Sequence, residues 1–328
     1  MRRLLVPRKF RLLKSQPVYI AALVCLYLIS PVFRLIPRAV RNGFFTILAM
    51  CFYLVDRPNR RLAVFNLKYA LGCSAGKANA IFRTSYIYRV WHLADVFFWG
   101  RIERQKAQEL LGKESFERLV RALSAEQGLV VVTAHYGAET LLCYAIAALQ
   151  KASCIARRQR VFGNLMRRHR ARHGLETLID REIGYSDILQ RLRRGEVVLL
   201  TLDQALRRKG VWVRFLGKPA HTPYFPADLA RLSGAPIFVA FMFYQRRKYR
   251  FVLHGPRLVP SDADIIQSRY EVTQWINDII SAQVRALPHH WLWATRRFRC
   301  DIAIDRYPHI TTKTFPQLTD PYSSARLA

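Results

Sequence analysis

The chain opens on two charge-free apolar runs, residues 17–33 and 43–55, separated by Pro37-Arg38-Ala39-Val40-Arg41-Asn42. A bilayer-spanning helix needs about 20 apolar residues and roughly 17 at the least, so the first run is marginal and the second short. Residues 57–72 read as a polar crossing into a helix, through Leu62, Phe65, Leu67 and Leu71. Residues 77–99 form a second helical pattern dense in aromatics (Phe82, Tyr86, Tyr88, Trp91, Phe97, Phe98, Trp99), and helical character continues to about 126. At 128 the period changes. Residues 128–134 (GLVVVTA) are a continuous β-branched run bounded by glycine, the pattern of a strand buried on both faces. Similar runs follow at 196–202, 235–243 and 249–254. Helical patterns stand between or beside them at 140–149, 163–173, 185–194 and 226–232, with a last one at 268–287. Strands alternating with helices predict an α/β fold with a mixed, largely parallel sheet flanked by helices. The expected organisation is a basic, apolar anchor at 1–56, a helical region at 57–127, an α/β domain at 128–305 and an irregular tail at 306–328.

Charge sharpens the reading of the N-terminus. The chain carries 53 Lys and Arg against 22 Asp and Glu, a net +31, which calls for an anionic partner. No acidic residue precedes Asp56, whereas nine basic ones do, and both flanks of the first apolar run are basic. Apolar runs between basic flanks point to an anionic membrane surface. They leave open a single span, a re-entrant hairpin or an interfacial anchor. A nucleic-acid-binding protein would explain the charge, but no zinc finger, helix-turn-helix or basic-aromatic RNA-binding pattern is present, so no nucleic acid is expected. The six cysteines include no CxxC pair and no Cys/His metal spacing; a reducing compartment, no metal and no cofactor are expected.

Candidate chemistry lies where the first strand ends. Active sites of open α/β sheets sit at the carboxyl ends of strands. Strand 128–134 runs directly into His135-Tyr136-Gly137-Ala138-Glu139. A histidine there, with an acid at the start of the next helix, can serve as an oriented general base. A surface-loop histidine, beside a glutamate that favours a helix N-terminus, fits the same spacing. Asp203 ends another predicted strand and can line the same pocket mouth.

The order of motifs decides between these readings. His135-Tyr136-Gly137 is followed by Gly195-Glu196-Val197-Val198, Asp203-Gln204 and Phe215-Leu216-Gly217-Lys218-Pro219-Ala220-His221-Thr222-Pro223. Then come Pro226-Ala227-Asp228-Leu229-Ala230, Ser233-Gly234-Ala235-Pro236 and Trp291-Leu292-Trp293-Ala294-Thr295-Arg296-Arg297-Phe298. In this order the chain resembles the late acyltransferases of lipid A biosynthesis, the lauroyl and myristoyl transferase family within the lysophospholipid acyltransferases. Asn59-Arg60-Arg61 and Asn66-Leu67 upstream also fit.

The resemblance implies a lysophospholipid acyltransferase-like fold behind an N-terminal anchor helix or hairpin. It implies an enzyme at the cytoplasmic face of a bacterial inner membrane, moving a fatty acyl group from acyl carrier protein or acyl-coenzyme A to a lipid hydroxyl. His135 would be the base, and Arg157 or Arg158, with ungapped matching favouring Arg157, would face the oxyanion. Asp203 would be a pocket or structural residue. Arg296 and Arg297 would contact an anionic headgroup or phosphate, and His221 and Thr222 would cap or shape a loop. The family motif places four residues between its His and Glu; here Glu139 follows His135 after three, and Thr140 stands at the family's Glu position. The second member of the dyad is therefore Glu139, Thr140 or missing. A member that binds lipid without catalysing, as a membrane-associated partner, is the competing reading.

Attachment through apolar runs is not screened by salt. The protein is expected to stay in the membrane pellet through washing in molar salt and to enter the supernatant only with detergent. Release by salt alone would exclude a hydrophobic anchor.

Overall fold

The computed structural model describes residues 35–124, 127–156, 162–180, 182–205 and 209–299. The first apolar run and the expected tail fall outside them. Among the described residues, five whole helices precede the sheet: α1 (Arg38–Val55), α2 (Arg57–Leu71), α3 (Ala75–Phe98), α4 (Arg104–Leu111) and α5 (Lys113–Leu123). The alternating part follows as β1 (Leu129–Thr133), α6 (Glu139–Ala147), β2 (Ala152–Ala156), α7 (Phe162–Arg172), β3 (Leu175–Ile179), α8 (Tyr185–Arg193) and β4 (Val197–Thr201). A hairpin, β5 (Gly210–Phe215) and β6 (Lys218–Pro223), leads to α9 (Phe225–Ser233), β7 (Ile237–Gln245), β8 (Lys248–Arg257) and α10 (Ile265–Ala286).

Six strands form one sheet in the order β3-β2-β4-β1-β7-β8. All neighbours pair in parallel except β7 and β8. The expected mixed, largely parallel sheet is thus present. Its continuous apolar strands serve two cores at once, because side chains alternate across a strand. Val130, Val132, Val198, Leu200, Val239 and Phe241 face one cluster, completed by Phe82 of α3, Ile188 of α8, Leu229 of α9 and Ile276 and Ile280 of α10. Leu129, Val131, Val197, Leu199, Ala240 and Met242 face the other, completed by Leu110 of α4, Leu119 of α5 and Leu142 and Ile146 of α6. The helices of 57–127 therefore pack into the same two cores as the α/β part.

The patterns at 128–134, 196–202, 235–243 and 249–254 are β1, β4, β7 and β8. Two sheet strands and the hairpin escaped the pattern. β2 (ASCIA) is short and weakly apolar, and β3 (LETLI) is an edge strand with exposed Glu176. β6 (KPAHTP) carries two prolines, which are tolerated because it pairs on one side only, with β5.

The N-terminal region differs from expectation in one respect. Arg38–Asn42, read as a separator, belongs to the same helix as residues 43–55. Arg, Ala and Val continue a helix readily, and the only strong breaker nearby, Pro37, sits at its N-cap. One face of α1 (Phe45, Ala49, Tyr53) is buried. Phe45 packs with Ala94 and Phe98 of α3. At its amino end Arg38 forms a 2.6 Å ion pair with Asp95 of α3, whose carboxylate also accepts from the Tyr249 hydroxyl at 2.5 Å.

The segment after α10 is drawn back across the sheet. Asn66 of α2 donates from Nδ2 to the carbonyls of Trp293 and Thr295, both at 2.7 Å. Ser85 Oγ of α3 donates to the Trp291 carbonyl at 3.0 Å. Between β1 and α6 the chain turns at Gly137, with φ +59°, and the amide of Ala138 donates to Met242 O at 2.7 Å. A Cβ on Gly137 would stand 2.3 Å from that same oxygen. Positive φ and close approach both require glycine here.

Gly137→Ala is accordingly expected to cost on the order of 2–4 kcal/mol, from backbone strain plus displacement of β7. Chemical denaturation beside the wild type measures it. A change below about 0.5 kcal/mol would show that the turn can relax.

Candidate active site

β1 and β4 are neighbours, paired from Leu129↔Val197 to Thr133↔Thr201. Parallel strands advance together, so residues equally far beyond the last pair arrive side by side. Two positions beyond it stand His135 and Asp203. The Leu202 amide still donates to Thr133 O at 3.0 Å, which holds both chains together up to the site.

Asp203 Oδ1 lies 2.7 Å from His135 Nδ1. Its Oδ2 accepts from the His135 amide at 2.9 Å and from Trp291 Nε1 at 2.8 Å. The carboxylate is buried, and these contacts compensate a charge that would otherwise be costly there. With Nδ1–H directed at Asp203, the lone pair of a neutral ring falls on Nε2. The His135 side chain keeps 32% of its surface exposed, so a ligand can reach it. Gln204 Nε2 stands 3.4 Å from His135 Nε2, beside the same edge.

Burial opposes charge on both partners, but their mutual attraction wins. Desolvation lowers the affinity of His135 for its proton, yet the Asp203 charge and hydrogen bond, with a smaller contribution from Glu139, push its pKa up to about 9. Burial likewise raises Asp203, and the His135 charge with the hydrogen bonds from His135 and Trp291 outweighs it, so the carboxyl is held below its usual range. At rest near neutrality the pair is an ion pair. Proton removal from a hydroxyl needs the neutral ring.

The remaining expected site residues, where described, stand outside this hydrogen-bonded pair. Glu139 opens α6, and the hydrogen-bonded carboxylate at His135 Nδ1 is that of Asp203 instead. Glu139 stays within electrostatic reach of His135, and burial raises its own pKa. Thr140 is the next residue of the same helix. Arg157 and Arg158 follow β2 outside the described residues. Arg296 is exposed. Arg297 faces inward and is fully buried: it donates to His221 O at 3.1 Å, to Thr222 Oγ1 at 2.6 Å and to Asn277 Oδ1 at 2.7 Å, over the Phe215 ring. That guanidinium ties β6 to α10 instead of meeting a headgroup. His221, expected in a loop or cap, is a β6 residue packed against Trp212. Trp291, which the motif order alone does not place at the site, supplies a donor to Asp203. Its indole N–H, which needs an acceptor when buried, was the available signal.

Fold and site together are those of an α/β protein with a histidine held at the carboxyl edge of its sheet by a buried aspartate. The model of the bacterial lipid A biosynthesis acyltransferase family matches residues 8–300, and the chain belongs to that family. It is similar to the phosphatidylinositol mannoside acyltransferase of Mycobacterium tuberculosis strain CDC 1551 / Oshkosh, 27% identical over 126 residues, which are 38% of each chain. The protein of that name in strain H37Rv is 27% identical over 124 residues, again 38% of each chain. In Mycolicibacterium smegmatis it is 25% identical over 125 residues, 38% of this chain and 40% of the relative. The match thus spans about two fifths of the length of these curated relatives.

The raised pKa of His135 carries a sign. A ring accepts a proton only when it is unprotonated, so with His135 as the base kcat/KM for acyl transfer would climb with pH towards about 9 and then level. Asp203→Asn removes the charge that raises the pKa and leaves the burial that lowers it, so the inflection moves to lower pH while the plateau falls. An inflection unmoved by that substitution would separate Asp203 from the titrating group.

Proposed function

We propose that the protein is a membrane-associated acyltransferase that moves a fatty acyl group from a thioester to a hydroxyl of a glycolipid, with His135 as general base. The observation that carries this is the His135–Asp203 pair, 2.7 Å apart at the carboxyl edge of the sheet with Nε2 directed away from the carboxylate. A hydroxyl is a poor nucleophile near neutral pH, so its proton must leave as it attacks the thioester carbonyl. Neutral His135 takes that proton on Nε2. Asp203 fixes the tautomer through Nδ1–H and balances the imidazolium that forms. The proton then passes to the departing thiolate as the tetrahedral intermediate collapses. Arg157, or Arg158 beside it, is the proposed positive charge facing the oxyanion.

The donor is acyl carrier protein or acyl-coenzyme A, and the acceptor is a membrane lipid, with a lipid A precursor as the family's expectation. The mycobacterial relatives act, by name, on phosphatidylinositol mannoside, and both acceptors are anionic glycolipids that carry hydroxyls. The site of action is the cytoplasmic face of a bacterial inner membrane. An intact ion pair within reach of solvent supports catalysis over a lipid-binding role without turnover.

His135→Ala is expected to lower acyl transfer by on the order of 10²–10⁴-fold with little loss of folding. Asp203→Asn should cost more than Glu139→Gln, and Thr140→Val should be nearly silent. Mass spectrometry of membrane lipids, with and without the gene and with each variant, reads both the transferred chain and its acceptor. Normal turnover by His135→Ala would end this mechanism.

A further inference from the structure

α1 has two apolar faces, and only one meets the protein. Val40, Phe44, Ile47 and Leu54 are 62%, 51%, 68% and 61% exposed, and Cys51 is exposed between them. Their spacing of three and four residues draws one stripe along the helix. Phe45, Ala49 and Tyr53, on another face, are buried.

The amino end of this helix is fixed to a basic hairpin. The Arg38 guanidinium lies 4.1 Å from the Tyr244 ring centre and 4.8 Å from that of Tyr249, and donates to the Tyr249 hydroxyl at 3.1 Å. Tyr244 and Tyr249 face each other across β7 and β8, and Gln245↔Lys248 is the last pair before the turn. Arg246 and Arg247 form that turn with φ +48° and +64°, and Arg246, Arg247 and Lys248 are all exposed. β7 is parallel to β1, and Gly137 bridges Met242, so the turn projects beyond the edge that holds His135. Four residues of strand from Met242 to Arg246 are roughly 13 Å.

The helix, 18 residues and so about 27 Å long, could nearly cross a hydrocarbon core. Its packing opposes that. Crossing would carry α3 into the bilayer, and with it the Arg38–Asp95 pair and the Ser85 contact to Trp291.

We infer that α1 lies in the plane of an anionic bilayer surface, its outward stripe sunk among the acyl chains, while Arg246, Arg247 and Lys248 meet headgroup phosphates. The occupant is a lipid surface because an apolar stripe flanked by cations, with no acid before Asp56, matches the layered chemistry of headgroup and hydrocarbon. Docked this way, the carboxyl edge bearing His135 turns towards the membrane, where a lipid hydroxyl is presented. The orientation deepens the membrane-lipid reading above and rests on it.

The test uses the full chain on vesicles of phosphatidylcholine with and without phosphatidylglycerol. Nitroxides are placed at Val40→Cys, Ile47→Cys and Leu54→Cys, each in a chain whose native cysteines are alanine. All three should report one shallow depth. A crossing helix would spread the first and last by about 21 Å. Such a spread overturns the inference, as do labels that stay in water. Restricted labels without vesicles, together with a dimeric mass by light scattering, would assign the stripe to a second copy and overturn it too.

In a second arm Arg246→Asn, Arg247→Gly and Lys248→Gln are combined, a turn sequence suited to positive φ. Affinity for phosphatidylglycerol vesicles should fall at least about tenfold, with affinity for pure phosphatidylcholine unchanged. Equal affinity of variant and wild type for both vesicles would remove the hairpin from the docking surface and overturn the inference. Neither arm reads acyl transfer, so a failure here is distinguishable from a failure of the proposed reaction.

Discussion

The site depends on one constraint, the parallel register of two neighbouring central strands. β1 and β4 are held pair by pair to Thr133↔Thr201, and two steps later each delivers one member of the pair. The resulting His135–Asp203 contact needs no loop to find it. A buried carboxylate is tolerable only when its lone pairs are used, and here a ring, a backbone amide and an indole use them. The indole comes from Trp291, far along the chain. α2 and α3 in turn hold the Trp291–Thr295 segment through Asn66 and Ser85. Elements from both ends of the sequence thus converge on one aspartate.

The proposed role of His135 as a general base is compatible with a stabilised imidazolium. Stabilising the charged ring is what makes proton uptake favourable during reaction, and it also leaves less neutral base at rest. The balance is set by opposing causes, burial pulling the His135 pKa down and Asp203 pulling it up. Glu139 contributes charge at the start of α6 without a hydrogen bond to the ring among the described residues, so its influence is electrostatic.

Helix α1 is not an appendage to this site. Its buried face shares a core with α3, and Arg38 closes an ion pair with Asp95 under the hairpin of β7 and β8. The hairpin rises from the edge of the sheet that carries the site. Whatever α1 contacts therefore fixes the direction in which His135 faces.

Much of the fold was legible in the residues. Buried parallel strands must be apolar at every position, so β1, β4 and β7 announced themselves, and the 3.6-residue period exposed α10. His135 was legible because a strand visibly ends in it. β2, β3 and the β5–β6 hairpin were not, since short or edge strands need no continuous apolar run. Sequence proximity pointed to Glu139 as the partner of His135, but a carboxylate 68 positions away holds that place, because strand register is a relation between segments that no local pattern records. The same reason separates Arg296 from Arg297: adjacent and identical in the chain, one is exposed and the other is sealed between β6 and α10. The sequence by itself determined the continuous apolar strands, the place of His135 at the end of one of them, and the apolar, basic character of the N-terminus. Only the tertiary structure decided which acid meets the histidine and which face of α1 is left uncovered, because both depend on surfaces brought together by packing.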